Sequence, residues 1–267
     1  MALQSRFIRL ATATALLSAM PALSATQYWD FDEDAQDFDF NGLGNSLTLN
    51  QGALTLTVSA WSDTWDVAGD NEVRAGRLYW AQDDALGVLN ADELSTGDTA
   101  PPDHPTDSFV SDDNAGDEAR DGDFDMLLLQ FSQAVNVDGF DLKWARDGSS
   151  NGQTDMSLLA WDGSGSSNLS GQTWGEILDS NGGNYQSVGQ YGDVGLSYYA
   201  VNSNVESTHW LIGAYNPIFG DIGEGFANDG SKLDFFRTST GDNQVPLPGT
   251  LALILLGMAG MHARRRA

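Results

Sequence analysis

FDMLLLQFSQAVNVDGFDLKW, residues 124–144, is the stretch that decides the fold. Its first part, Phe124 to Ser132, is apolar almost throughout, with no helical spacing of polar positions. A run of that length reads as a central strand buried on both faces. From Val135 to Trp144 the pattern changes to alternation, which puts Phe140, Leu142 and Trp144 on one face of a strand. Working outward, Ser46–Asn50 and Ala53–Trp61 alternate around Gln51-Gly52, a hairpin signal. Further strands are expected at Val73–Ala81, Met156–Trp161, Leu196–Val201, His209–Tyr215 and Leu233–Arg237. Gly, Asn, Asp and Ser punctuate them. Short strands with such turns predict an all-β chain, a single β-sandwich of jelly-roll type. One short helix is expected at Thr173–Leu178, and there is no clean internal repeat. Residues 90–122 are polar, contain Pro101, Pro102 and Pro105, and read as one long acidic loop.

The two ends of the 267-residue chain have a different character. Arg6 and Arg9 precede an apolar, Ala-rich stretch from Leu10 to Leu23, and Ala22-Leu23-Ser24-Ala25 supplies small residues for cleavage. Residues 1–25 therefore read as a secretory signal peptide, cut by signal peptidase to leave Ala25 or Thr26 first. At the other end, residues 239–244 form a polar linker, followed by Val245, Pro246, Leu247, Pro248, Gly249 and Thr250. The two prolines fix φ and remove two backbone donors, so a packed element should not run through them. An apolar run from Leu251 to Ala263 comes next, and Arg264, Arg265 and Arg266 follow it. As a helix, 13 residues span roughly 20 Å against a hydrocarbon core of about 30 Å. That length suits a transient membrane-held sorting signal, with the arginines kept on the cytoplasmic side.

The expected mature body, residues 26–244 with the β-domain at 26–238, is large enough for one real core. Of 12 basic residues, two lie in the leader and three in the tail, leaving seven in the body. All 38 acids lie in the body, so its formal charge is 7 − 38 = −31. Nucleic acid is excluded as a partner, and anionic lipid is disfavoured. There is no cysteine, so neither disulfides nor thiolate zinc sites contribute.

The three-part tail resembles the sorting signal of PEP-CTERM proteins, the exosortase-dependent bacterial surface and extracellular proteins. Here Leu247 stands where the motif carries Glu. The resemblance implies export and processing by an exosortase-like membrane protease at the motif, with delivery to the cell surface or extracellular matrix. The body also resembles a recurring ectodomain of such proteins, through LTVSAW (Leu56–Trp61), SLLAWDGSG (Ser157–Gly165), HWLIGAYNPIFG (His209–Gly220) and KLDFFR (Lys232–Arg237). That second resemblance implies a β-sandwich and carries no catalytic residues with it.

Two sets of residues are candidates for binding. Asp37-Phe-Asp39-Phe-Asn41-Gly42 opens like a calcium loop, but Thr48 stands where an EF-hand needs Glu. Asp121, Asp123 and Asp125 belong to a second acidic cluster. Asp32 and Asp234 become neighbours if the first and last strands pair. Each set reads either as a calcium site or as a solvated acidic surface. Trp65 and Trp174 lie in polar, turn-like sequence and are the tryptophans expected to be exposed, offering faces to exopolysaccharide or envelope glycans. Enzyme signatures are weak. No G-x-S-x-G or H-E-x-x-H occurs, and paired carboxylates are uninformative among 38 acids. The expected function is a non-enzymatic exported surface protein; the alternative is a secreted glycan-active hydrolase.

Overall fold

A computed structural model describes residues 25–31, 44–63, 72–80, 85–90, 106–109, 123–148, 150–201, 203–223 and 229–241. All of them lie in one compact unit, Ser24–Gly241. Among these residues there are 14 antiparallel strands and two 3-10 turns, Asp179–Asn181 and Pro217–Phe219. The first seven strands are β1 (Thr26–Asp30), β2 (Ser46–Gln51), β3 (Leu54–Ser62), β4 (Arg74–Ala75), β5 (Arg77–Trp80), β6 (Leu86–Leu89) and β7 (Thr106–Phe109). The rest are β8 (Asp123–Asp147), β9 (Ser150–Asn151), β10 (Gln153–Trp161), β11 (Tyr185–Gly195), β12 (Tyr199–Ala200), β13 (Ser207–Ala214) and β14 (Asp229–Ser239).

β8 organises the fold. The two runs expected as separate strands form one strand of 25 residues. Its first part lies between β3 and β13, with Leu129 opposite both Val58 and Trp210. Its second part pairs with β14, and β12 flanks it at Gly139 and Phe140. β14 carries β7, β6 and β1 in succession along its other side. β7 also pairs with the start of β8, so it bonds to both ends of this arrangement. Among the described residues all strands therefore join one hydrogen-bonded sheet, eight of them on its main path and β1, β2, β3, β4, β9 and β12 attached to it as branches.

The expectation of burial on both faces holds for the first part of β8. Leu127, Leu129 and Phe131 enter one hydrophobic cluster, while Phe124, Met126 and Leu128 enter a second. The larger cluster also takes Val137, Phe140 and Leu142 from the second part, with Trp29 and Phe236. Trp29, Phe236 and Phe140 form one cross-strand row, and the Trp29 indole N–H donates to the Thr238 hydroxyl at 3.1 Å. Register shifts along the β8–β14 pair change which residues face inward. Val137 and Phe140 are both core, and Trp144 does not share the inner face of Phe140 and Leu142. Ala145 takes the inner position instead.

Three more sequence expectations need correction. Val73–Ala81 is broken by Gly76 into β4 and β5. The segment read as a single loop, 90–122, contains β7, which earns its place through pairing with β14 and β8 rather than through its own hydrophobicity. Leu196–Val201 holds only the two residues of β12, whereas Tyr185–Gly195, where no strand is expected from the sequence, is the 11-residue strand β11. β11 lies at the end of the sheet path and is only partly buried, so a polar strand is tolerated there.

The expected helix at Thr173–Leu178 is a single turn. The Ile177 N–H bonds to the Thr173 carbonyl at 3.3 Å. Thr173 and Glu176 form a reciprocal cap: the Thr173 N–H donates to Glu176 Oε2 at 2.9 Å, and the Glu176 N–H to the Thr173 hydroxyl at 3.2 Å. Val73 docks this segment through backbone bonds with Gln172 and Gly171. Among the described residues, no helix is long and apolar enough to cross a membrane.

Candidate functional site

The body begins and ends at one place. Thr26 pairs with Ser239, and the Thr240 N–H donates to the Ala25 carbonyl at 3.2 Å. The first and last strands are therefore neighbours, as expected. β14 is hydrogen-bonded along most of its length, so the fold closes only when the last 11 residues before Thr240 are in place. Val245, Pro246, Leu247, Pro248, Gly249, Thr250, Arg264, Arg265 and Arg266 lie outside the described residues, as do residues 1–24. Eleven residues, Thr240 to Thr250, connect β14 to the apolar run, and the motif is among them.

Of the acidic candidates, Asp32, Asp37, Asp39, Asn41 and Asp121 lie outside the described residues, and so does the side chain of Asp123. The Phe31 N–H, next to Asp32 in the chain, donates to the Asp234 carbonyl at 3.0 Å. The Asp234 carboxylate itself faces the Lys143 ammonium at 3.9 Å. Asp125 is buried and accepts a long bond from the Asp107 N–H, 3.4 Å. Among the described residues, no three acidic or histidine side chains are grouped so as to hold a metal ion.

Buried carboxylates that sequence reasoning missed lie nearby. Asp155 and Asp229 are 2% and 1% exposed. Asp229 Oδ1 accepts from the Asp155 N–H at 2.9 Å and the Thr154 hydroxyl at 3.4 Å, while Oδ2 has no hydrogen-bond partner among the described residues. Burial pushes the Asp229 carboxyl up to about 8, the neighbouring Asp155 and Asp147 add to this, and the two hydrogen bonds oppose it. At neutral pH Asp229 is mainly a neutral acid. Asp155 Oδ1 accepts the N–H of Asp193, which has a φ of 55° at a bulge between β10 and β11. Nothing in the sequence separates these two from the other aspartates. Only the sheet register buries them.

The tryptophans divide differently from the sequence expectation. Trp65 lies outside the described residues. Trp174 is not exposed: it is 1% accessible, sits in the second cluster and meets Phe219 edge-on, with ring centroids 5.9 Å apart. Its polar neighbours are the turn that carries it, and the ring points the other way. It presents no stacking face to a glycan. His209 is half-buried against the edge of Trp161, 4.8 Å between centroids, and its Nδ1 is 2.8 Å from the Thr208 hydroxyl. Burial lowers its pKa and favours the neutral ring.

Comparison of the chain with curated proteins and with solved structures gave no match. The tail does match. Residues 244–266 carry the PEP-CTERM protein-sorting motif, which implies export, processing by the membrane protein exosortase and sorting to the cell surface.

Proposed function

We infer that this chain is a non-enzymatic protein of the cell surface or extracellular matrix, released by two cuts from a membrane-held precursor. Signal peptidase cuts after Ser24 or Ala25, and an exosortase cuts within Val245–Thr250 while the Leu251–Ala263 helix holds the chain in the inner membrane. The motif at 244–266 is the observation that carries this reading. It is supported by the short spacing between β14 and the apolar run, which leaves the cut in polar, proline-bearing chain just beyond the last strand. Tail and leader also leave the body at one point, because Thr26 pairs with Ser239. The core shared by both parts of β8 supports a β-sandwich of jelly-roll type. Calcium binds the acidic clusters around Asp32–Asn41 and Asp121–Asp125, and relieves part of the repulsion in a body of formal charge −31. The body acts by binding neutral exopolysaccharide or envelope glycan.

The test is the intact mass of the protein recovered from its native cell surface or medium. The expected chain starts at Ala25 or Thr26 and ends between Val245 and Thr250. A mass that includes the tail through Ala267 would overturn the processing step.

A further inference from the structure

Among the described residues the exposed large hydrophobic side chains are Tyr28, Leu196, Tyr198 and Ile218. Two of these four converge on a third ring. Phe235 lies 5.5 Å from Tyr28 and 6.3 Å from Tyr198, centroid to centroid. The sheet register explains the cluster. Tyr28 of β1 is opposite Arg237 of β14, which is opposite Gly139 of β8. Tyr198 lies across Gly139, where any Cβ would collide with its hydroxyl. Arg237 stacks on the Tyr198 ring at 4.5 Å, and its Nε is 3.6 Å from Asp138. Asp138 is held in turn by the Ser239 hydroxyl at 2.8 Å. The rings are thus fixed before any ligand arrives, which lowers the entropy cost of binding.

The charge pattern selects the ligand. The body carries −31, and at this shelf carboxylates outnumber cations: Arg237 faces Asp138 and Lys143 faces Asp234, while Asp30 and Asp141 are the cross-strand neighbours of Phe235. An excess of carboxylates around the rings, in a strongly negative protein, disfavours anionic polymers and anionic lipid. Aromatic faces are electron-rich and attract the slightly positive C–H face of a sugar ring. Flanking carboxylates and guanidinium supply acceptors and donors for hydroxyls. We propose that Tyr28, Tyr198 and Phe235, with Arg237 and Asp138 at their edge, form a binding site for a neutral polysaccharide. This rests on the glycan-binding reading above and moves it from the tryptophans to the β1–β14–β8 face. Ser239, at the end of β14, is two residues from Arg237, so bound polymer sits beside the point where the processed C-terminus leaves the body.

The test is gel retardation of the protein recovered from its cells, with hydroxyethylcellulose, galactomannan, dextran or alginate in the gel. Retardation is expected with at least one neutral polymer, at least tenfold weaker in Tyr28→Ala and Tyr198→Ala, and retained in Tyr28→Phe and Tyr198→Phe. Melting temperatures of the variants serve as the folding control; if Tyr198→Ala does not fold, Tyr28→Ala decides. Retardation unchanged in the alanine variants would overturn the shelf and leave glycan binding standing. No retardation of the native protein in any of the polymers would overturn both, and retardation in alginate alone would overturn the neutral-polysaccharide site. Loss in the same variants of binding to phosphatidylcholine vesicles, or of a dimer seen by sedimentation, without any glycan effect, would assign the shelf to lipid or to a second copy and overturn the proposal.

Discussion

The two parts of β8 share one strand and live in different surroundings. Phe124 to Phe131 is packed on both faces, because the Trp174 turn and its neighbours cover the outer side of that part. From Asn136 onward, among the described residues, only the inner face is covered by core, and Asp138, Asp141, Lys143 and Arg146 stand on the other side, exposed or half-buried. The difference teaches where stability and recognition reside. An outer face that is capped by Trp174 and Phe219 adds a second core; the other outer face, which neither cluster of the described residues covers, carries the Tyr28–Tyr198–Phe235 shelf.

The largest effect is expected from removing the cap. Trp174→Ala should destabilise the body by about 3–5 kcal/mol, read by urea unfolding, because a large side chain leaves a cavity in the second cluster. Trp174→Phe should cost clearly less, since the buried indole N–H has no hydrogen-bond partner among the described residues to lose. Equal losses would mean that the nitrogen is bonded after all.

Gly213→Ala probes the strand contact beneath the cap. Gly213 is opposite Met126, and a Cβ there would run into the Asp125 carbonyl. A loss of about 1–3 kcal/mol is expected from the overpacking. An alanine tolerated without loss would show that β13 and β8 separate more easily than this register implies.

Asp229 gives the comparison a pH dependence. Below its ordinary value of 3.8 both folded and unfolded chains hold the proton. Between 3.8 and about 8 the native state holds a proton that the unfolded chain has released, so this group makes stability fall as pH rises. Above about 8 the full cost of the buried charge is present. Asp229→Asn should therefore raise the melting temperature more at pH 9 than at pH 5. A larger gain at pH 5 would overturn the assignment of a neutral buried acid.

The smallest effects belong to the exposed shelf. Tyr28→Ala should change stability by under about 1 kcal/mol while weakening polysaccharide retention, the reverse of what Trp174→Ala does to a folded fraction. A Tyr28→Ala variant as unstable as Trp174→Ala would erase the distinction between the two outer faces.

Much of this was legible in order along the chain. The β2–β3 hairpin, the buried run in β8 and the strands β10, β13 and β14 follow from alternation, apolar runs and turn residues. β7 and β11 were not legible, because TDSF and YQSVGQYGDVG carry little hydrophobic signal and become strands through their partners. Trp174 was misread for a related reason. Its neighbours Gln172, Thr173 and Glu176 are polar because they build a capped turn, and that turn points the indole inward.

By itself, the sequence determined the all-β class, the acidity of the body and the sorting tail, since composition, alternation and a contiguous motif are properties of local chain. Tertiary structure alone decided which outer face is capped, which aspartates lose their water and which aromatic rings meet at the surface. Those outcomes depend on register between strands far apart in the chain, where a shift of one residue turns every side chain to the opposite face.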